Sequence, residues 1–527
     1  MHKQIVSVGL AIAIGVAMAA VSEKAAALDG TSQNANVQLG PRPFFLINDM
    51  EDSPLKRQLQ QCTARTFQPT NFSIGHRGAA LQFPEHTRES YVAAARMGAG
   101  IVECDVTFTK DLALVCRHAQ NDLHTTTDIL LTPLASKCTR QFTPTVLGSN
   151  GELITPASAE CRTSDITLAE FRTLTGKMDG FNPRARTPQE FVDGTPNFRT
   201  DLYSGPTSGH LLTHRESIEL FKQLGVKITP ELKAPSVTMP FNGFTQQAYA
   251  QKMIDEYKAA GVRPSDVFPQ SFNKNDVLYW VNNESAFGRQ AVFLDDANTV
   301  ADLPSLAELQ GYRNQGIRIW APPIFALLAL NAQNEIVPSQ ARNAKMAGLE
   351  LITLERSGIL ANLSPTEFYH QTIQPAITRE GDMFRVVDVL ARDVGVRGIF
   401  AIGLPRSALR QLHEHEISQP ARVRQCPGPA DAGPSFTSGR LHDHRRPISQ
   451  HLGDPRRDLV GVIAHGDDGV GPDVGTMLSH ELVGIRPRPL TQSGIEGNIT
   501  AEQRLDHRPN IADDAARAHG DAAHHPR

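Results

Sequence analysis

The sequence lacks the features that mark a nucleic-acid binder or a multi-span membrane protein. Across 527 residues, 52 lysines and arginines nearly balance 56 aspartates and glutamates, leaving a formal charge of -4. Gripping nucleic acid needs a concentrated basic face, and no such run is present. Beyond the first residues no stretch is apolar enough to cross a bilayer, so stable membrane insertion is not expected. Cysteine is limited to six residues, Cys62, Cys104, Cys116, Cys138, Cys161 and Cys426, in no zinc-finger spacing. The stretch after Phe400 is the poorest. Residues 401–527 contain no Lys, Trp or Tyr, and Phe436 is their single phenylalanine, yet they hold eleven of the 19 histidines. With no helical or strand period, this stretch reads as a disordered tail. A shift of reading frame near residue 400 would explain the abrupt change. Histidine pairs such as His413/His415 and His524/His525 are read as incidental.

The chain opens on Lys3, an apolar run from Ile5 to Val21, and small residues at Ala17-Met18-Ala19 and Ala25-Ala26-Ala27. That pattern is a secretory signal over residues 1–27, and the run is at the short end for a membrane anchor. Export to the periplasm or the medium is the expectation, and it permits disulfides. Cys138 and Cys161, in a Pro/Ser/Thr-rich stretch, are the expected pair. Cys104 and Cys116 lie inside strand-like runs and are expected as packed thiols.

Residues 28–71 form an extension whose patch Pro43-Phe44-Phe45-Leu46-Ile47 should pack against the main body. From 72 to 400, apolar β-branched runs alternate with helical stretches. The strand candidates are Ser73–Gly75, Gly100–Val106, Val226–Leu232, Val267–Phe272, Gln290–Leu294, Ile317–Ala321, Leu349–Leu354 and Val396–Phe400. Helices such as Arg88–Met97, Arg215–Leu224 and Gln246–Ala260 separate them. About eight such units suit an α/β chain folded as a (β/α)8 TIM-type barrel. Between His118 and His214 the period fails. A connection that long is a functional loop or a subdomain, so 119–214 is expected as a cap over the barrel mouth.

The chemistry-bearing residues converge by counting alone. Glu103 and Asp105 are two apart in a strand-like run and face one side, with Cys104 on the other. Thr109-Lys110-Asp111 reads as a tight turn. A Lys110-Asp111 loop sets residue 118 opposite residue 103, and a loop one residue later sets it opposite 105. Either way His118 returns beside the carboxylate pair. Glu231 and Lys233 are also two apart at the end of a strand candidate, as His76 and Arg77 are at the end of the first. In a parallel barrel, strand C-terminal ends share one mouth. Taken singly each residue has a plainer reading: a solvated carboxylate pair, a core histidine, a turn, a same-face ion pair. Three carboxylates together suit a hard divalent cation, Ca²⁺ or Mg²⁺, better than zinc.

The joint pattern resembles the glycerophosphodiester phosphodiesterase family, most closely its exported bacterial branch. The matching residues are His76-Arg77-Gly78, Pro84-Glu85-His86-Thr87, Glu103-x-Asp105 with Thr109-Lys110-Asp111, His118, and Pro230-Glu231-Leu232-Lys233-Ala234-Pro235. Weaker likeness continues at Pro269-Gln270-Ser271-Phe272 and Thr353-Leu354-Glu355-Arg356-Ser357-Gly358. The resemblance implies a divalent metal on Glu103, Asp105 and Glu231, with Ca²⁺ favoured and Mg²⁺ possible. It implies His76 and His118 as the acid/base pair, Arg77 and Lys233 as phosphate ligands, and small glycerophosphodiesters as substrates. Glu85 and His86 are expected to shape the first loop rather than to do chemistry. Three departures stand out. Asp111-Leu112 replaces a common Asp-Gly, and Ala119 follows His118 in place of an Asp, with Asp122 or Asn121 placed to substitute. After Phe400 the family's Ser/Thr-Asp-x-Pro is missing, which questions closure of the barrel. A phospholipase on a related barrel and an inactive exported binding protein are the competing readings.

Overall fold

The computed structural model describes residues 37–62, 67–196, 199–354 and 368–401. The expected signal segment, the tail after 401, Cys426 and Glu355-Arg356-Ser357-Gly358 lie outside the described residues. Each of the eight apolar runs becomes a parallel strand: β1 (Thr70–Gly75), β2 (Ala99–Phe108), β3 (Lys227–Leu232), β4 (Gln270–Ser271), β5 (Val292–Leu294), β6 (Ile319–Ala321), β7 (Glu350–Leu354) and β8 (Gly398–Ala401). Neighbours pair in chain order. β8 pairs with β7 and also with β1, through Ser73↔Ile399, Ile74↔Phe400 and Gly75↔Ala401. The barrel therefore closes although the Ser/Thr-Asp-x-Pro motif is absent, and the His76 N–H donates to the Ala401 carbonyl at 3.0 Å.

Strand parity divides the core. Ile74, Ile101, Phe268, Val292, Leu294, Ile319, Ala321, Ile352 and Phe400 form one apolar cluster, the filling of the barrel. The alternate residues of β2, namely Val102, Cys104 and Val106, belong to the cluster shared with the surrounding helices. Each large apolar side chain buried this way contributes about 1.5–3 kcal/mol.

Two short helices precede the barrel, α1 (Arg42–Asp49) and α2 (Pro54–Cys62). Leu46, Ile47, Met50 and Leu59 enter the same cluster as Leu390 and Ile399, so the extension is part of the barrel's outer packing. Helices α3 (Arg88–Arg96), α4 (His214–Leu224) and α5 (Gln246–Ala259) follow the first three strands or their excursions. Their N-caps are Thr87, Thr213 and Thr245, each accepting a backbone N–H, and Thr213 completes a capping box with Glu216. Such caps contribute about 1 kcal/mol each and fix where a loop from the mouth turns back into a helix. Farther on, α6 (Met383–Val389) leads toward β8. Among the described residues, no helix is long and apolar enough to cross a membrane.

The β2 hairpin differs from both registers expected. Val106 faces Cys116 and Phe108 faces Leu114, midway between the two. The loop has three residues, Lys110-Asp111-Leu112, with Thr109 N–H donating to Ala113 O at 3.0 Å. Leu112 takes the left-handed position (φ 62°) that such a loop requires. Formally this register turns residue 118 toward the helix side. His118 escapes because the return strand Leu114–Cys116 stops first, with Arg117 N–H bonding Asp105 O as the last rung.

The cysteine expectation needs a correction. Cys104 and Cys116 are not packed thiols but a disulfide, since that register sets them on one face with Cα atoms 5.4 Å apart. Cys138 pairs with Cys161.

The segment after His118 builds its own small apolar cluster, including Leu123, Ile129, Phe171 and Phe191. Two two-stranded ribbons, Arg140–Thr143 with Ser158–Glu160 and Val146–Leu147 with Leu153–Thr155, belong to it. Lys177 serves as an internal tie. Its ammonium donates to the carbonyls of Thr125, Met178 and Gly180 at 2.7, 2.7 and 2.8 Å, and burial draws its pKa down to about 8.

Candidate active site

The loop after β1 is folded tightly before it reaches α3. Ser90 Oγ accepts the Ala79 N–H and donates to the Arg77 carbonyl. Gly78 lies at φ 86°, and a Cβ there would stand 2.8 Å from the Ser90 backbone, so only glycine fits. Arg77 (φ 57°) and His86 (φ 55°) both hold left-handed backbones, a strain of about 1–3 kcal/mol each that clusters at functional loops.

Parity carries Glu103 and Asp105 to the barrel axis above Ile101. Across the β2–β3 ladder Glu103 faces Thr229 and Asp105 faces Glu231, and Glu231 in turn faces Gln270 on β4. One oxygen of each of Glu103, Asp105 and Glu231 lies within 4.8 Å of the others, and all three residues are buried. Glu103 is held on both sides, accepting the Arg77 N–H at 2.9 Å and the Gln270 amide at 2.8 Å. Lys233 pairs with Glu231 at 2.7 Å. His76 Nε2 stands 3.7 Å from Glu103, and the His76 ring meets the edge of Phe400.

The electrostatics follow from three acids sharing a dry site. Burial, then the charges of Asp105 and Glu231, push Glu103 well above the usual carboxylate range. Burial raises Glu231 to about 7 against the pull of Lys233. Asp105 stays low despite burial because His86 and Lys233 favour its anion. Both catalytic candidates are drawn toward the neutral form. His76 falls to about 3 through burial and the Arg77 charge, and His118 falls through burial, Arg77 and Lys233. Neutral imidazoles can accept protons at ordinary pH.

The donor set fits a hard divalent cation. It is all oxygen, a cation would offset the burial and repulsion that hold Glu103 and Glu231 toward their neutral forms, and Asp105 Oδ1 is buried with no hydrogen-bond partner among the described residues.

Glu85 and His86 do more than shape the loop. His86 Nε2 bonds Asp105 Oδ2 at 2.9 Å and Nδ1 bonds Tyr91 Oη at 2.9 Å. A ring nitrogen against a carboxylate carries the proton, so Nδ1 accepts from the tyrosine and the tautomer is fixed. Glu85 is the shared counter-ion of Arg77 (3.3 Å) and Arg199 (3.2 Å), a residue of the inserted segment. Burial would raise the Glu85 pKa, but these two arginines hold it far below the usual range. His118, Glu85 and Asp122 form a second group within 4.8 Å. Asp122 Oδ2 accepts the Ala119 N–H at 3.1 Å, and Arg117, wholly buried, stands 3.8 Å from Oδ1. Of the two residues expected to replace the absent Asp after His118, Asp122 is the one gathered with it. Sequence reading missed Gln270, Arg199, Arg117 and the His86–Tyr91 pair. Gln270 alone had a usable signal, its place in Pro269-Gln270-Ser271-Phe272.

The model of the glycerophosphoryl diester phosphodiesterase family matches residues 76–352, more than half the chain. The chain belongs to this family. It is an enzyme of the phosphoric diester hydrolase class, acting on glycerophosphodiesters. A protein of Arthroderma benhamiae named only as an extracellular protein is 48% identical over 231 residues, covering 42% of this chain and 94% of that one. A glycerophosphodiester phosphodiesterase of Arabidopsis thaliana is 27% identical over 251 residues, 46% of this chain and 59% of that one. Among solved structures, an Oleispira antarctica phosphodiesterase in complex with sn-glycerol-3-phosphate is 17% identical with a TM-score of 0.37, covering 65% of this chain and 97% of that one. The family match begins at His76 and spans every site residue described above.

Proposed function

We propose that the chain hydrolyses glycerophosphodiesters to glycerol 3-phosphate and an alcohol, with His76 and His118 as acid and base. The observation that carries this reading is the meeting of Glu103, Asp105 and Glu231 within 4.8 Å, with His76 Nε2 3.7 Å from Glu103. Glu103, Asp105 and Glu231 would hold a divalent ion, Ca²⁺ by preference or Mg²⁺. Bound there, it would neutralise the phosphodiester and lower the pKa of the attacking oxygen. Arg77 and Lys233 bind the non-bridging oxygens and stabilise charge as it redistributes. One imidazole takes the proton of the nucleophile, either water or the neighbouring glycerol hydroxyl, and the other, drawn back to imidazolium by the anionic phosphodiester, protonates the departing alkoxide. Gln270 and the Arg77 N–H fix Glu103, while His86 fixes Asp105. Two disulfides among the described residues suit an exported enzyme.

The test uses the purified full chain and glycerophosphocholine. Turnover should vanish in EDTA and return with Ca²⁺. Full turnover in EDTA overturns the metal assignment, and wild-type turnover by His118→Ala overturns the acid/base pair. A second reading, hydrolysis of lysophospholipids, is favoured by exposed Leu202, Tyr203 and Phe272. Faster turnover of lysophosphatidylcholine than of glycerophosphocholine would select it.

A further inference from the structure

The Cys104–Cys116 disulfide lies on the far side of the strand that carries Glu103 and Asp105. Cys104 is the residue between those two carboxylates, turned by parity to the helix-facing core, and both sulfurs belong to fully buried residues. Cys116 is the last residue of the return strand, two before His118. Beyond it one ladder bond remains, Arg117 N–H to Asp105 O at 2.8 Å, and then the chain leaves the sheet. His118 thus follows a strand end whose outer edge is held at Val115 and Cys116 by Thr213 and Leu212, and whose pairing with β2 stops one residue before it. Past it, the chain is tied back to fixed structure by the Ala119 N–H to Asp122 contact and, at buried Gln120, by the N–H groups of Thr163 and Ser236, which donate to its carbonyl and side-chain oxygens at 2.7 and 2.6 Å. The covalent cross-link joins the one strand to the other at this exit point.

We infer that Cys104 and Cys116 are positioning residues, whose disulfide holds His118 in register with the metal-binding carboxylates and makes full turnover depend on the oxidised pair. The inference rests on the role given above to His118. The bond is made across the hairpin that a tight turn already closes, so its distinctive effect is local, at the exit of the strand. Displacing an acid/base group by about 1 Å can cost about 100-fold in rate. Opening the bond takes two electrons and two protons. Dithiothreitol supplies both and leaves as its cyclic disulfide, while Cys104 and Cys116 become thiols. The second disulfide, Cys138–Cys161, lies within the inserted segment's own cluster and provides a control.

The test is a mutant cycle on the full chain with glycerophosphocholine. Cys104→Val/Cys116→Ala, which keeps the buried volume close, should lower kcat by about 10-fold or more with KM changed less than about threefold. The same pair introduced into His118→Ala should cost nothing further, because groups acting as one unit are not additive. Cys138→Ala/Cys161→Ala should leave kcat near wild type. An equal, multiplicative loss in the His118→Ala background overturns the inference, as does full kcat in the double variant. Wild-type turnover by His118→Ala alone instead removes the reading beneath it. Should the double variant fail to fold, wild type is treated with dithiothreitol and the opened bond is mapped by alkylation and mass spectrometry. Loss of kcat should follow opening of Cys104–Cys116. Loss that follows only Cys138–Cys161 overturns the inference.

Discussion

Asp105 and Glu231 are register partners on adjacent parallel strands, so two acids far apart in sequence are neighbours by ladder geometry alone. Neither can be moved without shifting a strand. Asp105→Asn or Glu231→Gln should therefore lower kcat/KM by more than about 100-fold and abolish the rise in Tm expected of the wild type when Ca²⁺ is added. Calorimetry with and without the ion measures the second effect separately from turnover.

His86→Ala should weaken divalent-ion affinity by about 10–100-fold while leaving kcat largely recoverable at saturating ion, since the histidine orients Asp105 rather than touching substrate. Tyr91→Phe should have a smaller effect in the same direction, as it removes one hydrogen bond worth about 1 kcal/mol. Titration of activity against free Ca²⁺ in each variant gives the order.

Glu85→Gln should destabilise the chain by roughly 3 kcal/mol, because Arg77 and Arg199 lose the carboxylate they share in a buried site. Adding Arg199→Met should recover part of that loss. Chemical denaturation of the single and double variants reports the coupling.

Asp122 gives a pH prediction. Burial raises its pKa to about 7, with Arg117 opposing and Glu85 and Asp179 reinforcing, whereas the unfolded chain ionises it near 3.8. The folded state holds the proton more tightly, so this contribution to stability is full below the unfolded value and disappears as pH rises through the folded one. Wild-type Tm should therefore fall between pH 5 and pH 8 by more than that of Asp122→Asn, which keeps the acceptor for Ala119 N–H. For a barrel of this size each kcal/mol of difference corresponds to about 1–2 °C. Thermal melts at the two pH values, without added metal, measure it.

The barrel was legible because its signals are periodic. All eight apolar runs became strands, and the two-residue spacing of Glu103/Asp105 fixed their common face. The residues that orient the carboxylates and Arg77 were not legible for a simple reason. Gln270, Arg199 and His86 meet their partners across loops or ladders whose geometry no local pattern specifies. The hairpin shows the limit well. Counting allowed a loop ending at Asp111 or one shifted by a full residue, but Leu112 accepts a left-handed backbone that leucine usually avoids, which sets the register between them. The same half-step turned two expected thiols into a cross-link.

The packing of α1 against the far end of the barrel has a consequence for how the chain is made. Arg42 bonds Glu380, 338 residues later, and Leu46 and Ile47 share a core with Leu390 and Ile399. At ordinary rates of synthesis the first helices wait roughly 20–70 s before those partners leave the ribosome. Their greasy faces stay bare throughout, and the ring of strands cannot be completed until its last member emerges. Slow, late assembly is thus built into the topology.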